Sequence, residues 1–291
     1  MPPLLPDAAP FGSITCTDAP RWAQAHAIDN PKMPAPRTVM STIAKHASFA
    51  QCPEKPKRSD GRSIGDGALG NQTDQIIWLD GDVPVSSRFD DPFFSLQDGV
   101  AETEHVFLGG NDLPARFTRG FHIAELGFGT GLNALVVWDA WMQSGQTGAL
   151  RFTSFEAYPM ARDDMARAHQ AFPAFEGRRD KLLTAWDPLG SVLKLPGLQL
   201  TVITGDARQS VSAWDGAADA WFLDGFSPAK NPELWTPELM TDVATHTTSN
   251  GTCATYTAAG FVRRGLDAAG FEIERVPGFG RKRHMTRGIL R

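Results

Sequence analysis

The chain has 291 residues, of which 42% are hydrophobic and 21% charged, enough for one large α/β domain with additional segments. Its formal net charge of -5 at pH 7 excludes a protein coated in positive charge, so any nucleic-acid contact must use a local basic patch. No apolar run approaches the roughly 20 residues of a membrane helix, the N-terminus lacks the pattern of a secretory signal, and the scattered cysteines predict a reducing cytoplasm and no metal site.

Residues 1–72 differ in composition from the rest of the chain. They are rich in Pro, Ala, Ser, Asp and Lys, and they contain the run Pro-Glu-Lys-Pro-Lys-Arg at 53–58. Such a segment cannot bury enough apolar surface to offset its conformational entropy, so it is predicted to be a disordered extension. The folded domain is expected to span 73–291, with an N-terminal cap or substrate segment at 73–119 and a core at 120–291.

From Gly120 onward the pattern alternates between strands and helices. The predicted strands are 121–126, 151–156, 198–204, 218–224, 251–257, 271–276 and 284–290. The predicted helices are 132–143, 160–172, 179–186, 207–214, 237–247 and 261–269. This alternation predicts a doubly wound, mostly parallel seven-stranded α/β sheet, and the short connection between the last two strands predicts a C-terminal antiparallel hairpin.

A glycine run stands between the first of these strands and the first helix. It reads Glu125-Leu126-Gly127-Phe128-Gly129-Thr130-Gly131-Leu132-Asn133. Glycines let the backbone approach a ligand closely, and a helix N-terminus presents free N–H groups. Dinucleotide binders require a glycine where Leu132 stands, so the G-x-G-x-G pattern behind an acidic residue is instead typical of Rossmann-like class I S-adenosylmethionine methyltransferases. The alternative is an ordinary strand-to-helix turn.

Acidic residues end four consecutive βα units: Glu125, Glu156, Asp206 and Asp224. Ligands of doubly wound sheets bind at the carboxyl ends of the strands. Glu156 is expected to meet ribose hydroxyls, and Asp206 an adenine ring or its exocyclic amine. Any one of these residues alone would be explained as a helix cap, but four together favour a cofactor site.

The segment from Asp224 to Trp235 stands where many amine methyltransferases hold the acceptor nitrogen. Asp224 offers an acceptor for an amine hydrogen, and two prolines, including Pro228, fix the loop. Phe226 and Trp235 are predicted to stack on a flat ring or to line the methyl-transfer path, with plain packing as the alternative. Lys230 is predicted to reach a phosphate beside this loop.

These motifs together resemble one family, the methyltransferase domain of the bacterial bifunctional enzyme of tRNA 5-methylaminomethyl-2-thiouridine biosynthesis. The resemblance runs from about residue 75 to the C-terminus. It is carried by the glycine run and by the segments 155–159, 219–235, 260–270 and 278–285. The upstream block adds Ser87-Arg88-Phe89-Asp90-Asp91-Pro92-Phe93-Phe94-Ser95, Gly99, Glu102-Thr103 and Val106-Phe107-Leu108-Gly109-Gly110-Asn111.

The resemblance implies methyl transfer from S-adenosylmethionine to the aminomethyl nitrogen of 5-aminomethyl-2-thiouridine at the tRNA wobble position, with Asp224 as the catalytic residue. The implied cofactor contacts are Glu125, Gly127, Gly129, Thr130, Gly131, Asn133, Glu156, Asp206 and Phe94. Phe93 and Asn111 are expected to close over the cofactor. The family usually has Tyr where this chain has Phe93. The second, flavin-dependent domain of the bifunctional enzyme has no counterpart before Arg291, so a stand-alone enzyme without FAD, supplied with its substrate by other enzymes, is expected.

Contacts to the tRNA anticodon loop are predicted for Arg281, Lys282 and Arg283, where positive charge stands out in an acidic chain. Further basic candidates, for which solvated charge is an equal explanation, are Arg263-Arg264 and Arg178-Arg179-Lys181. Three alternatives stay open. They are an N-methyltransferase for a small-molecule or protein amine, an aminopropyl transferase, and a non-catalytic cofactor-binding partner of tRNA-modifying enzymes. A nicotinamide oxidoreductase is disfavoured by Leu132.

Overall fold

The computed structural model describes residues 75–79, 82–187 and 192–291. All of them belong to one compact unit of the chain, Asp66–Arg291. The extension predicted at 1–72 lies outside the described residues, and the predicted boundaries of the domain and its cap stay predictions. Within the described residues, no helix is long and apolar enough to cross a membrane.

The described strands form two sheets. In chain order they are β1 (Ile76–Leu79), β2 (Val83–Ser86), β3 (Asp91–Pro92), β4 (His122–Leu126), β5 (Leu150–Glu156), β6 (Val192–Leu195), β7 (Leu198–Thr204), β8 (Ala218–Leu223), β9 (Thr247–Thr255), β10 (Phe271–Pro277) and β11 (His284–Leu290). The first three form a small antiparallel sheet. The other eight form one large sheet in the order β10-β11-β9-β8-β4-β5-β7-β6.

The centre of the large sheet is parallel. β4 pairs in parallel with β5 on one side and with β8 on the other, and the parallel region continues through β7 and β9. After β4 the chain adds β5 and β7 on one side of that strand, and it then crosses back to add β8 and β9 on the other side. The topological switch point of the sheet therefore lies between β4 and β8. Ligands of open α/β sheets bind in the crevice outside the strand ends at such a point.

Both edges of the large sheet are antiparallel. β11 lies between β10 and β9, which confirms the predicted C-terminal hairpin. The sheet has eight strands, one more than the predicted seven. The additional strand, β6, pairs with β7 from Val192↔Thr201 to Leu195↔Leu198. This edge strand has only four residues, of which Leu193 alone is buried, so it is too short to give the pattern that predicts the other strands of the sheet.

The helices of the described residues alternate with the strands, as predicted. They are α1 (Gly99–Thr103), α2 (Leu132–Gln143), α3 (Arg162–Ala168), α4 (Glu176–Ala185), α5 (Ala207–Ser210), α6 (Pro237–Thr245) and α7 (Gly260–Ala268). The helix α2 has the predicted bounds. The helix α5 is shorter than the predicted 207–214, because the chain turns after it and places the Trp214 ring edge-on against Phe155 and Trp221.

The large sheet is buried on both faces, as expected for parallel strands covered by helices. Neighbouring residues of β8 show this directly: Phe222 packs into one hydrophobic cluster, whereas Trp221 and Leu223 pack into the other. All five residues of β4 are buried. The strand ends are therefore held rigidly, and the loops that follow them have fixed starting points.

The segment before the large sheet contributes to its core. A π-helical turn, Glu104–Leu108, follows α1, and its residues Val106, Phe107 and Leu108 are buried. The Phe107 ring stacks on Phe222 of β8 with 5.2 Å between ring centroids. This packing places α1 and the loop before it beside the carboxyl ends of the central strands.

The glycine run forms a turn between β4 and α2 in which Gly127, Gly129 and Gly131 have positive φ angles. Gly127 also lies against the loop after β8. A Cβ at this position would lie 3.0 Å from the carbonyl oxygen of Asp224 and 3.3 Å from Cα of Gly225. Both the backbone conformation and the close approach of two main chains therefore require glycine here.

We expect Gly127→Ala to lower the free energy of unfolding by about 1–3 kcal/mol, because it combines a strained φ with a backbone contact. The matched control is Gly177→Ala in α4, where an added Cβ meets nothing within 4 Å. Alanine favours the helix there, so stability should rise by up to about 1 kcal/mol. Chemical denaturation of the two variants checks this, and similar values for both would contradict the role given to Gly127.

Candidate active site

A cavity of about 900 Å³ opens at the carboxyl ends of the central strands, beside the glycine turn. It is lined by the loops after β4, β5, β7 and β8 and by the segment before α1. Its lining contains these residues predicted for the site: Phe94, Gly127, Gly129, Thr130, Asn133, Glu156, Asp206, Asp224, Phe226, Lys230 and Lys282. The structure thus brings together residues from opposite ends of the described chain.

Glu156 joins the loops after β4 and β5. Its Oε2 accepts a hydrogen bond from the N–H of Gly129 at 3.0 Å, and its Oε1 accepts one from the N–H of Tyr158 at 2.8 Å. Burial raises the pKa of this carboxyl, and the backbone N–H donors oppose the increase. A carboxylate keeps further lone pairs after accepting two hydrogen bonds, so Glu156 retains capacity for hydroxyl groups of a ligand.

Asn133 connects the glycine turn to the loop after β8. Its Nδ2 donates to Glu125 Oε1 at 2.9 Å and to Asp224 Oδ2 at 2.8 Å. Its Oδ1 accepts from the Thr103 hydroxyl at 2.8 Å, which fixes the orientation of the amide. Both amide hydrogens therefore have protein partners, and Asn133, predicted as a cofactor contact, holds Asp224 in place.

Glu125 lies beneath the cavity and does not line it. It is fully buried, and its Oε2 accepts a hydrogen bond from the Ser154 hydroxyl at 2.6 Å. Burial raises the pKa of its carboxyl well above the usual value. The Asn133 amide stands between Glu125 and Asp224, so Glu125 contacts the cavity wall through this side chain, and its predicted contact with the methionine end of a cofactor stays a prediction.

Asp224 presents its carboxylate to the cavity at the end of β8. Besides the bond from Asn133, its Oδ1 accepts from the N–H of Gly225 at 2.9 Å. Burial raises the pKa of Asp224 to about 6, with a further increase from the negative charge of Glu102. The two hydrogen bonds and the positive charge of Lys282 oppose this increase. A carboxylate with such a pKa can take up a proton near neutral pH.

Asp206 caps α5 at the cavity wall. It accepts the N–H of Arg208 at 3.0 Å, and its carboxylate also pairs with the Arg208 guanidinium, which lowers the pKa of Asp206. The helix-cap explanation weighed for each acidic residue thus applies here. Asp206 still lines the cavity with Ala207, so its predicted place at the adenine side stays a prediction.

Aromatic side chains form one wall of the cavity. Phe226 stacks on Phe89 with 4.7 Å between centroids and meets the edge of Phe93 at 5.1 Å. Phe94 packs edge-on against Phe172 at 4.9 Å. Contacts between aromatic rings hold this apolar wall together. Phe93 makes its contact through the ring alone, without the hydroxyl of the tyrosine that the family usually has at this position.

Four other predicted residues do not line the cavity. Trp235 is buried in the core, where its Nε1 donates to the carbonyl of Phe226 at 3.0 Å, so it fixes the loop from behind. Asn111 is also fully buried and bonds to Thr252 in the core, which corrects its predicted place over a cofactor. Gly131 caps the N-terminus of α2, and Pro228 belongs to the turn after Phe226.

Arg281 and Arg283 are exposed in the turn of the β10–β11 hairpin, beside Lys282, which alone of the three reaches the cavity. The turn is closed by backbone hydrogen bonds from Gly278 to Arg283 and from Lys282 to Phe279. By contrast, Arg178, one of the further basic candidates, is paired with Asp139 at 2.7 Å.

Lys230 holds two loops together. Its ammonium contacts the carbonyl and carboxylate of Asp90 and lies 3.6 Å from Asp91 Oδ1. Asp91 in turn accepts the N–H of Ser227 at 2.8 Å. The predicted phosphate contact of Lys230 stays a prediction, and in the structure its charge is already balanced by these two carboxylates.

Tyr256 and Glu102 are polar residues of the cavity for which no role was predicted from the sequence. Tyr256 follows β9 and donates its hydroxyl to the carbonyl of Gly225 at 2.7 Å. The strand-end rule that identifies Glu156 and Asp224 also identifies Tyr256 when it is applied to β9. Glu102 lies on α1, before the large sheet, and no strand pattern points to it.

We expect Asn133→Asp to raise the pKa of Asp224 above about 6, because a carboxylate replaces the amide donor between two other carboxylates. Titration of ¹³C-labelled aspartate by NMR measures this, with the Asp224 signal identified by its loss in Asp224→Asn. Thr103→Ser keeps the orienting hydroxyl and serves as the control. An unchanged midpoint in Asn133→Asp would show that the amide does not hold Asp224.

Comparisons with known proteins show which sequences and folds this chain resembles. Residues 175–291 match the sequence model of a family of S-adenosyl-L-methionine-dependent methyltransferases. The tRNA 5-methylaminomethyl-2-thiouridine biosynthesis bifunctional protein MnmC of Caulobacter sp. (strain K31) is 44% identical over 229 residues, covering 74% of this chain. The protein of the same name from Chromohalobacter salexigens is 47% identical over 219 residues, covering 72% of this chain.

This chain spans 38% and 31% of the lengths of these two relatives. Among solved structures, MNMC2 from Aquifex aeolicus has a TM-score of 0.63 and 24% sequence identity, covering 75% of this chain and 70% of that one. That similarity supports the fold. The family match over residues 175–291 and the relatives confirm the resemblance to S-adenosyl-L-methionine-dependent methyltransferases seen in the sequence.

Proposed function

We propose that this protein transfers the methyl group of S-adenosylmethionine to the amine of 5-aminomethyl-2-thiouridine at the wobble position of tRNA, giving 5-methylaminomethyl-2-thiouridine. The names of the relatives support this substrate. The observation that carries the proposal is the Asp224 carboxylate, which lies in the same cavity as the glycine turn of the cofactor site and has a pKa raised to about 6.

The cofactor side of the cavity suits S-adenosylmethionine. Gly127 and Gly129 present no side chain, and Glu156 retains lone pairs for hydroxyl groups. S-adenosylmethionine supplies an electrophilic methyl group on a positively charged sulfur. The predicted contacts place Glu156 at the ribose and Asp206 at the adenine side. A cavity of about 900 Å³ leaves space for part of a second ligand beside a cofactor of this size.

On the acceptor side, the Asp224 carboxylate performs two tasks. It accepts a hydrogen bond from the substrate amine and so orients the nitrogen lone pair toward the methyl group. The nitrogen becomes positively charged as it gains the methyl group, and Asp224 can take up the proton that it then releases. Asn133 and Gly225 keep the carboxylate aimed into the cavity during both tasks.

The tRNA is proposed to reach the cavity beside the β10–β11 hairpin. Arg281 and Arg283 are exposed there, and the neighbouring Lys282 lines the cavity. An anticodon loop presents unpaired bases that proteins can splay out, and its phosphates attract such a cluster. The basic charge is thus local, as the acidic composition of the chain requires.

The test is transfer of labelled methyl from S-adenosylmethionine to tRNA that carries 5-aminomethyl-2-thiouridine, followed by nucleoside analysis. We expect label in the methylaminomethyl nucleoside with the native protein. Asp224→Asn should lower kcat by about 100-fold or more, because the variant has no carboxylate to take up the proton. Its affinity for S-adenosylmethionine should change by no more than about 3-fold, since Asp224 is assigned to the acceptor.

Glu238→Gln in α6 is the matched control, because it makes the same chemical change at an exposed carboxylate. It should keep native turnover. Native kcat in Asp224→Asn would remove Asp224 from the mechanism. Bound cofactor without any tRNA methylation by the native protein would instead favour a different amine acceptor or a non-catalytic role.

Removal of both hairpin arginines tests the tRNA contact. Arg281→Ala with Arg283→Ala should weaken tRNA binding and reduce the slope of log affinity against log salt by roughly 0.7–0.9 for each phosphate that these side chains neutralise. Binding of S-adenosylmethionine should not change. Arg178→Ala, which removes an arginine already paired with Asp139, is the control. An equal decrease in affinity in that control would argue against a specific contact at the hairpin.

A further inference from the structure

An ion pair inside the cavity has no role in the reaction described so far. Glu102 of α1 and Lys282 of the β10–β11 turn both line the cavity, and Lys282 Nζ donates to Glu102 Oε1 at 2.8 Å. The Glu102 side chain is 14% exposed and that of Lys282 46%. Removing charged groups from water is costly, and an ion pair that faces a cavity is weak evidence for stability alone.

The pair lies beside Asp224. The Lys282 ammonium sits over the Tyr256 ring, 4.0 Å from its centroid, and the Tyr256 hydroxyl bonds the carbonyl of Gly225, the residue after Asp224. Both charges act on Asp224: Glu102 raises the pKa of its carboxyl and Lys282 lowers it. A nucleobase whose aminomethyl group meets Asp224 therefore comes close to both side chains.

Each partner keeps hydrogen-bonding capacity. The lysine ammonium has three hydrogens, and the bond to Glu102 uses one of them. The Glu102 carboxylate has lone pairs beyond those that face Lys282. Lys282 thus offers a hydrogen-bond donor, and Glu102 beside it offers an acceptor. A ligand that has an acceptor and a donor on neighbouring atoms can bind to both side chains.

We propose that Lys282 and Glu102 read the edge of the uracil base, with Lys282 donating to O4 and Glu102 accepting from N3–H. This inference rests on the proposed function. In uracil the aminomethyl carbon is attached to C5, O4 is on the adjacent C4, and N3–H follows. The protein groups follow the same order as these atoms: Asp224 for the amine, then Lys282 for O4, then Glu102 for N3–H. Lys282 lies over Tyr256, which contacts the loop of Asp224, and Glu102 is bound to Lys282.

This reading gives selectivity for uracil over cytosine. Cytosine carries an amino donor at C4 and an acceptor at N3, so its polarity along this edge is reversed. Lys282 would then face a donor and Glu102 an acceptor lone pair. Polar groups left without partners in this way are the strongest basis for rejecting a wrong ligand.

The experiment exchanges the two charges. Glu102→Lys combined with Lys282→Glu restores an ion pair of the same composition and net charge but reverses the donor and acceptor. Methyl transfer is measured on anticodon stem-loops that carry 5-aminomethyluridine or 5-aminomethylcytidine at the wobble position, together with thermal unfolding and S-adenosylmethionine binding. Glu102→Gln, which keeps an acceptor oxygen, and Lys282→Met, which keeps the stem over Tyr256, are the single variants.

We expect the native protein to prefer the uridine substrate. The exchanged variant should unfold near the native temperature and bind the cofactor within about 2-fold, yet its kcat/KM for uridine should fall by roughly 100-fold or more. Lys282→Met should reduce that preference more than Glu102→Gln does. Restoration of both stability and native uridine transfer by the exchange would show that the pair is structural and would overturn the inference. A native protein inactive on both substrates would overturn the proposed function and this inference with it.

Discussion

The segments that follow β4 and β8 are joined by one side-chain amide and one backbone contact, and the site depends on both. Asn133 bonds Glu125 below the cavity and Asp224 at its wall, while Gly127 brings the glycine turn against the backbone of Asp224. The turn that would hold the cofactor and the carboxylate that would hold the acceptor are therefore one connected unit.

The carboxylates of the site are held by hydrogen bonds from neighbouring residues. Buried carboxylates are costly without partners, and here Glu125, Glu156 and Asp224 each receive hydrogen bonds from amide, hydroxyl or backbone donors. Both proposed ligands bring positive charge, on sulfur and on the amine, so a cavity with acidic walls complements them. The positive charge of Arg281 and Arg283 lies outside, where a polyanion would approach.

Much of the architecture follows from sequence patterns because parallel strands end at one edge of a sheet. This rule predicts that Glu156 and Asp224 lie at the same edge of the sheet, and the glycine spacing predicts the turn after β4, the strand between theirs. Strand patterns do not predict which side chain lines the cavity and which lies behind it in the core. Glu125 lies behind Asn133, and Trp235 faces the core, because packing between different helices and strands determines how deeply each side chain is buried. Glu102 depends on the docking of a segment that precedes the sheet, and β6 is too short and exposed to give a pattern.

Under the proposed function, the methyl group goes to an amine held by Asp224. The most direct measurement compares single-turnover methyl transfer to two anticodon stem-loops that differ only in the accepting atom, 5-aminomethyluridine and 5-hydroxymethyluridine. A carboxylate that orients an amine and takes up its proton predicts a labelled product from the first substrate and none from the second within the same time. Equal transfer to both, or to the hydroxyl alone, would contradict the assignment of this cavity to an amine acceptor.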